Sequence, residues 1–119
     1  MFQKILIVIK KVLITAEIDN YIQNRFEALN YLVDIKPEIE RNELLQIISE
    51  YSVLIITTYT KVDVALIDRA TNLKIVGRVG SGMENVDVEY CKQKNIACVN
   101  SPEGNGNAVG EHCLAMLLG

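Results

Sequence analysis

Between Val79 and Asp87 the chain reads Gly80-Ser81-Gly82-Met83-Glu84-Asn85, two glycines around a serine, after a β-branched run and ahead of an amphipathic segment. Glycine has no Cβ, so backbone N–H groups in such a turn can close on an anion. The amides of Ser81 and Gly82 are therefore a candidate nest for a carboxylate. The loop is a poor dinucleotide site: that fingerprint wants a third glycine where Asn85 stands and an acidic residue where the following strand ends, at Asn100. A plain strand-to-helix turn is the competing reading, and the loop alone does not separate the two. A second polar stretch, Asn100 to Asn107, holds three asparagines and two glycines. It reads as a turn leading to an N-cap at Asn107, or as a place where the Asn105 amide meets a carboxylate or hydroxyl. Thr57, Thr58 and Thr60 offer hydroxyls that bond either an anion or their own turn. His112 is the one histidine. It falls in an apolar helical segment beside Glu111, whose side chain cannot face it, so it reads as a packed or interface residue and not as a general base.

Composition narrows the function. The chain has 119 residues, 50% hydrophobic and 23% charged, with a formal net charge of -3. That acidic balance argues against a nucleic-acid partner, which needs a concentrated basic face. Cys91, Cys98 and Cys113 are odd in number and show no CxxC spacing, which predicts buried thiols in a reducing, cytoplasmic setting and no metal site. Lys10 and Lys11 interrupt the apolar N-terminal run well short of the roughly 20 residues a membrane span requires. Neither a membrane partner nor a signal peptide is expected. Residues 1–10 read as an extension, strand-like in composition.

Short apolar runs alternate with amphipathic segments along the rest. Strands are expected at 12–15, 31–35, 53–56, 73–79 and 97–99. Helices are expected after Asp19, over 43–50, after Asp63, over 87–94 and over 107–118. Five β-α units predict an α/β, flavodoxin-like fold of about five parallel strands with helices on both faces. The three polar loops then fall at the carboxyl ends of strands, where ligands sit in such sheets. The final segment from Ala108 to Leu118 is apolar nearly all round, and predicts burial against another domain or, in a homodimer, a second copy.

Residues 53–119 resemble the N-terminal part of the D-isomer-specific 2-hydroxyacid dehydrogenases, in their phosphoglycerate dehydrogenase-like branch. The resemblance is carried in order by LKIVGRVGSGMENVD, NIACVNSPEGN and AVGEHCLAMLL, and residues 11–52 agree in pattern. It implies an oxidoreductase that moves a hydride between NAD and a 2-hydroxy or 2-oxo acid. Residues 11–106 would be its substrate-binding domain, and 107–119 a crossover helix toward an NAD-binding domain. Carried over residue by residue, the Ser81 and Gly82 amides would hold the substrate carboxylate, Thr58 and Thr60 would line the pocket, and Asn105 would lie beside substrate and nicotinamide. The family's cofactor glycines, catalytic Arg, supporting Glu and general acid–base His would fall beyond Gly119, leaving these residues inactive alone. Thr57 stands where phosphoglycerate dehydrogenases commonly have an arginine, and Glu84 replaces the usual aspartate; the first weakens the case for a 3-phosphoglycerate-like substrate. A non-enzymatic module that binds a small carboxylate is the alternative.

Overall fold

The computed structural model describes residues 10–102 and 105–119; the expected N-terminal extension lies almost wholly outside them. Five strands, β1 (Lys11–Ile14), β2 (Leu32–Ile35), β3 (Val53–Ile56), β4 (Ile75–Val79) and β5 (Ala97–Ser101), form one sheet in the order β2-β1-β3-β4-β5. Every pairing is parallel, as consecutive right-handed β-α crossovers require. The five-strand flavodoxin-like expectation is met.

Strand alternation sorts the core into two layers. Leu13, Leu54, Ile56 and Val76 pack with Leu44 of α2 (Arg41–Ile47), Leu66 and Ile67 of α3 (Val64–Arg69), and Cys91 of α4 (Val88–Gln93). Val12, Ile14, Val53, Ile55 and Ile75 point the other way, onto Ile22 and Phe26 of α1 (Asn20–Ala28) and Val109, Cys113 and Leu114 of α5 (Gly106–Leu118). Val53 to Ile56 are fully buried, which explains a continuous β-branched and leucine run where a one-sided strand would alternate.

The helix ends follow local chemistry. Asp19, Asp63 and Asp87 cap α1, α3 and α4 by accepting from the N–H groups of Tyr21, Leu66 and Tyr90, each satisfying a donor the helix leaves free. Asn30 and Asn95 take φ of 66° and 61° just after α1 and α4. In both places the N–H five residues on returns to the helix, Tyr31 to the Phe26 carbonyl and Ile96 to that of Cys91, as a Schellman ending does. The expected helix over 43–50 is a shorter α2 followed by a 3₁₀ turn at Ile48–Glu50.

Close approach decides where α5 sits. A Cβ on Gly77 of β4 would lie 2.7 Å from Val109 Cγ1 and 3.0 Å from Cys113 Sγ. The last helix is thus seated on β4 and β5, beside α1. Its outer face leaves Met116 and Leu118 exposed at 43% and 69%. No helix among the described residues is long and apolar enough to cross a membrane.

Candidate functional site

At the carboxyl end of β4 stands Arg78, the only charged residue that is buried among those described, at 4% exposure. It shares a face with Val76 two residues earlier, so the strand's own alternation sends the guanidinium up the α3–α4 side of the sheet. There Nη1 donates to the Gly82 carbonyl, and Nη2 donates to Thr58 Oγ1 at 3.0 Å and reaches Glu84 Oε1 at 3.5 Å. Nε is buried and has no partner among the described residues. The Gly-rich loop wraps this cation closely. Gly80 takes φ 142°, and a Cβ on Gly82 would collide with the Glu84 carboxylate and lie 2.9 Å from Arg78 Nη1. Gly80 is therefore required by the backbone path, whatever the loop binds; at Gly82 a side chain would have to displace the ends of Glu84 and Arg78.

The neighbouring loops are tied to the same centre. Asn85 Nδ2 donates to the carbonyls of Thr57 and Thr60, at 2.9 and 2.7 Å. Thr60 Oγ1 lies 2.7 Å from Thr15 Oγ1 at the end of β1. Val62 N–H donates to the Asn85 carbonyl, and Asp87 N–H returns a bond to Val62. Behind this turn, Arg41 pairs with Asp63 and donates to the Lys61 carbonyl at 2.7 Å. Burial pushes the Asp63 carboxyl up, but the Arg41 and Leu66 hydrogen bonds outweigh it and hold the group below the ordinary carboxylate range. On the β5 side, Asn100 Nδ2 donates to the Ser81 carbonyl at 2.7 Å. Asn105 N–H donates to Ser101 Oγ, and Ser101 bridges to Gly80.

These bonds fix part of the loop's polarity. The Ser81 carbonyl accepts from Asn100 at the exposed β5 side, and the Gly82 carbonyl accepts from the buried Arg78. A trans, planar peptide puts the next residue's N–H on the opposite side, so the Gly82 and Met83 amides point away from those partners. Neither donates to a described residue. Two adjacent amides directed away from a buried cation form an arrangement suited to a small anion.

The five residues expected at the site therefore occupy one connected edge. Thr58 and Gly82 meet through Arg78. Thr60 joins through Asn85 and Thr15, while Ser81 and Asn105 join through Asn100 and Ser101. A groove of about 360 Å³ opens at the ends of β1, β2 and β3, away from loop 80–85, lined by Thr15, Ala16, Glu17, Pro37, Glu38, Thr57 and Tyr59. The N-cap expected at Asn107 is corrected: Asn105 caps α5, its Oδ1 accepting from Asn107 and Ala108 N–H. The helix starts at Gly106, one residue earlier than expected, and Gly106 itself packs tightly on Ile18, with a would-be Cβ 2.9 Å from Cγ2. The Asn105 carbonyl is thus taken by the helix, and a ligand would meet its NH₂ group. His112 is exposed on α5, six residues from the helix start and about 9 Å down its axis from this edge.

Arg78, Asn85 and Thr15 were absent from the sequence-derived site. Arg78 had a signal: a basic residue at the end of a run buried on both faces must find partners or a ligand. Asn85 and Thr15 had none, since their partners lie 25 or more residues away.

A family model for the D-isomer specific 2-hydroxyacid dehydrogenase, catalytic domain, matches residues 12–115. D-3-phosphoglycerate dehydrogenase of Archaeoglobus fulgidus is 37% identical over 98 residues, covering 77% of this chain and 19% of that protein. Hydroxypyruvate reductase of Thermotoga maritima is 38% identical over 80 residues, covering 67% and 26%. The chain thus spans a minor part of the curated relatives it matches. Among solved structures, the NAD+-bound 3-phosphoglycerate dehydrogenase of Entamoeba histolytica superposes with a TM-score of 0.71 at 24% identity, over 91% of this chain and 38% of that one.

Proposed function

This chain belongs to the D-isomer specific 2-hydroxyacid dehydrogenase family, with residues 12–115 matching the catalytic domain, and on that footing we propose that it is the substrate-binding side of an NAD-dependent oxidoreductase. The observation that carries this reading is the loop 80–85 folded around the buried Arg78. A 2-hydroxy or 2-oxo acid presents one carboxylate and, beside it, the carbon that exchanges a hydride. The amides of loop 80–85 hold the carboxylate, drawing on the Arg78 charge beneath, which acts strongly because it is poorly hydrated. Thr58 and Thr60 shape the wall, and the Asn105 NH₂ group approaches the substrate oxygen from the β5 side.

Loop 80–85 and the end of β5 do not fit a dinucleotide, which leaves Asn105 as the residue of this edge nearest a nicotinamide held elsewhere. Asn85 occupies the third glycine position of a dinucleotide loop, and its NH₂ group is committed to Thr57 and Thr60. Asn100, where an acidic ribose ligand would stand, is bonded to Ser81. No step is therefore assigned to NAD on these residues. The related E. histolytica protein is NAD+-bound, and we place the nicotinamide in a part of the parent protein outside the 119 residues. A general acid–base group of suitable position is also lacking among the described residues of this edge, so these residues alone bind the acid and turn nothing over. The outer face of α5, with Met116 and Leu118 exposed, is the surface offered to the cofactor-binding part. A homodimer through the same face is the competing use, and light scattering decides it: a clean monomer removes the dimer. The free thiols fit a reducing, cytoplasmic location.

Calorimetry tests the proposal. Titrating the chain with glycerate, hydroxypyruvate and NADH should give heat for the acids and none for the nucleotide. NADH binding, or steady turnover of hydroxypyruvate with NADH, would overturn it.

A further inference from the structure

We infer that Asn85 is the positioning residue of this edge: its side-chain amide holds Thr58 and Thr60 in place for the acid before the acid arrives. This rests on the reading of loop 80–85 as the carboxylate-binding loop. Asn85 Nδ2 donates to the Thr57 carbonyl at 2.9 Å and to the Thr60 carbonyl at 2.7 Å. The two carbonyls bracket Thr58 and Tyr59, so one nitrogen closes that tip at both ends. The Asn85 main chain is fixed as well. Its carbonyl accepts from Val62 N–H at 2.9 Å, and Asp87 N–H donates to the Val62 carbonyl at 2.8 Å. The loop that meets the carboxylate and the loop that carries the threonines are thereby one unit.

Packing does not order the tip. Thr58 and Tyr59 are exposed, the tyrosine at 96%, so the turn buries little apolar surface and depends on its hydrogen bonds. The other side-chain bonds to it among the described residues run from Arg78 Nη2 to Thr58 Oγ1 and between Thr60 Oγ1 and Thr15 Oγ1. Asparagine suits the task by type. A carboxamide nitrogen has two hydrogens and can serve two carbonyls, whereas a hydroxyl has one hydrogen and a carboxylate none. The Asn85 Oδ1 is buried and has no partner among the described residues. An unpaired buried acceptor is costly, which leaves the two donated bonds as what the side chain contributes here.

A wall ordered in advance spares the ligand the cost of ordering it. Freeing the two residues of the tip should therefore cost about tenfold in affinity. The effect acts through Thr58 and Thr60, since the amide itself is spent on main-chain carbonyls.

Asn85→Leu keeps the size and the neutrality and removes both donors. Calorimetric titration with glycerate of the wild type, Asn85→Leu, Thr58→Ala and the double variant is the test, with a thermal melt of each. Asn85→Leu should bind glycerate about tenfold more weakly than the wild type. In the Thr58→Ala background the same change should cost about threefold, because part of the wall it positions is gone; a side chain that only stabilises the fold would cost the same in both. In the wild type, backbone NMR relaxation should show residues 57–60 as rigid as β3 without ligand, and no more rigid with glycerate. If the wild type binds glycerate and the folded Asn85→Leu binds it equally well, or the two losses simply add, the inference is wrong while the carboxylate loop stands. Residues 57–60 that stay mobile until glycerate binds also overturn it, whether or not the variants fold. If the wild type does not bind glycerate, the loop reading falls and takes this one with it.

Discussion

Seating the last helix on the sheet depends on a missing side chain at Gly77. An alanine there would place its Cβ 2.7 Å from Val109 Cγ1 and 3.0 Å from Cys113 Sγ, with Val99 Cγ2 at an ordinary 3.6 Å. Val109 is β-branched and holds one strongly preferred rotamer in a helix, so the relief must come from α5 moving outward by several tenths of an ångström. Overpacking of this kind costs about 1–3 kcal/mol. Replacing a strand glycine by alanine recovers about 0.5–1 kcal/mol of backbone entropy. The balance is a loss of about 1–2 kcal/mol, or about 4–8 °C in Tm for a chain of this size. Val109→Ala alone empties part of the same contact and costs about 2 kcal/mol. In the double variant the new methyl occupies the vacated space, so the two losses should fall short of their sum by about 1 kcal/mol or more. Urea titration of the four proteins, read by circular dichroism, measures all terms of the cycle. A stabilised Gly77→Ala, or strictly additive losses, would refute the packing of α5 on β4.

The other predictions concern the site and its supports. Arg78→Met forfeits the charge-assisted hydrogen bonds to Gly82 and Thr58, of about 1.5–3 kcal/mol each, and the longer one to the exposed Glu84, but also relieves the burial of a guanidinium, worth several kcal/mol. The chain should therefore stay folded within about 2 kcal/mol of wild type while glycerate affinity drops at least about tenfold; calorimetry beside a thermal melt checks both, and undiminished binding contradicts the site. The Asp63 carboxyl is held low, burial pushing it up but Arg41 and the Leu66 N–H pulling it further down. Its contribution is then complete above the unfolded value near pH 4 and is lost as pH falls through the lower folded value. Urea midpoints of wild type and Asp63→Asn should accordingly converge between pH 6 and pH 2.5; a constant difference would refute the pairing. Burial pushes the Cys113 thiol up to about 12, and Cys91 is fully buried with its thiol also raised, first by its contact with Cys98. Cys98 alone is partly exposed, so a thiol reagent on the native chain should label one cysteine quickly and three only in denaturant.

Much of the fold was legible because its signals are local. An aspartate before an amphipathic run reads as a cap, and Asp19, Asp63 and Asp87 all cap. Runs such as Val53 to Ile56 read as strands covered on both faces, and five of them between helices leave few topologies. The site was legible only where loop composition marked it. Ser81, Gly82 and Thr58 were found as small polar residues at strand ends, but the cation that joins them was not. Arg78 is the partner of Ile56 and Asn100 in the sheet register, and only that register brings Thr58, twenty residues earlier, to its guanidinium. Asn105 and Asn107 are equally good caps by type, so composition alone does not choose between them; in the fold Asn105 Oδ1 takes the Asn107 and Ala108 N–H groups.

The central claim is that the 80–85 loop over Arg78 receives a substrate carboxylate. An amide-resolved NMR titration of the chain with glycerate tests it most directly. The account predicts saturable shifts concentrated at Ser81, Gly82 and Met83 N–H and at the Arg78 Nε–H, which has no partner among the described residues. Shifts confined to the opposite edge of the sheet, around Tyr31 and Lys74, or no saturable shift at any accessible concentration, would contradict it.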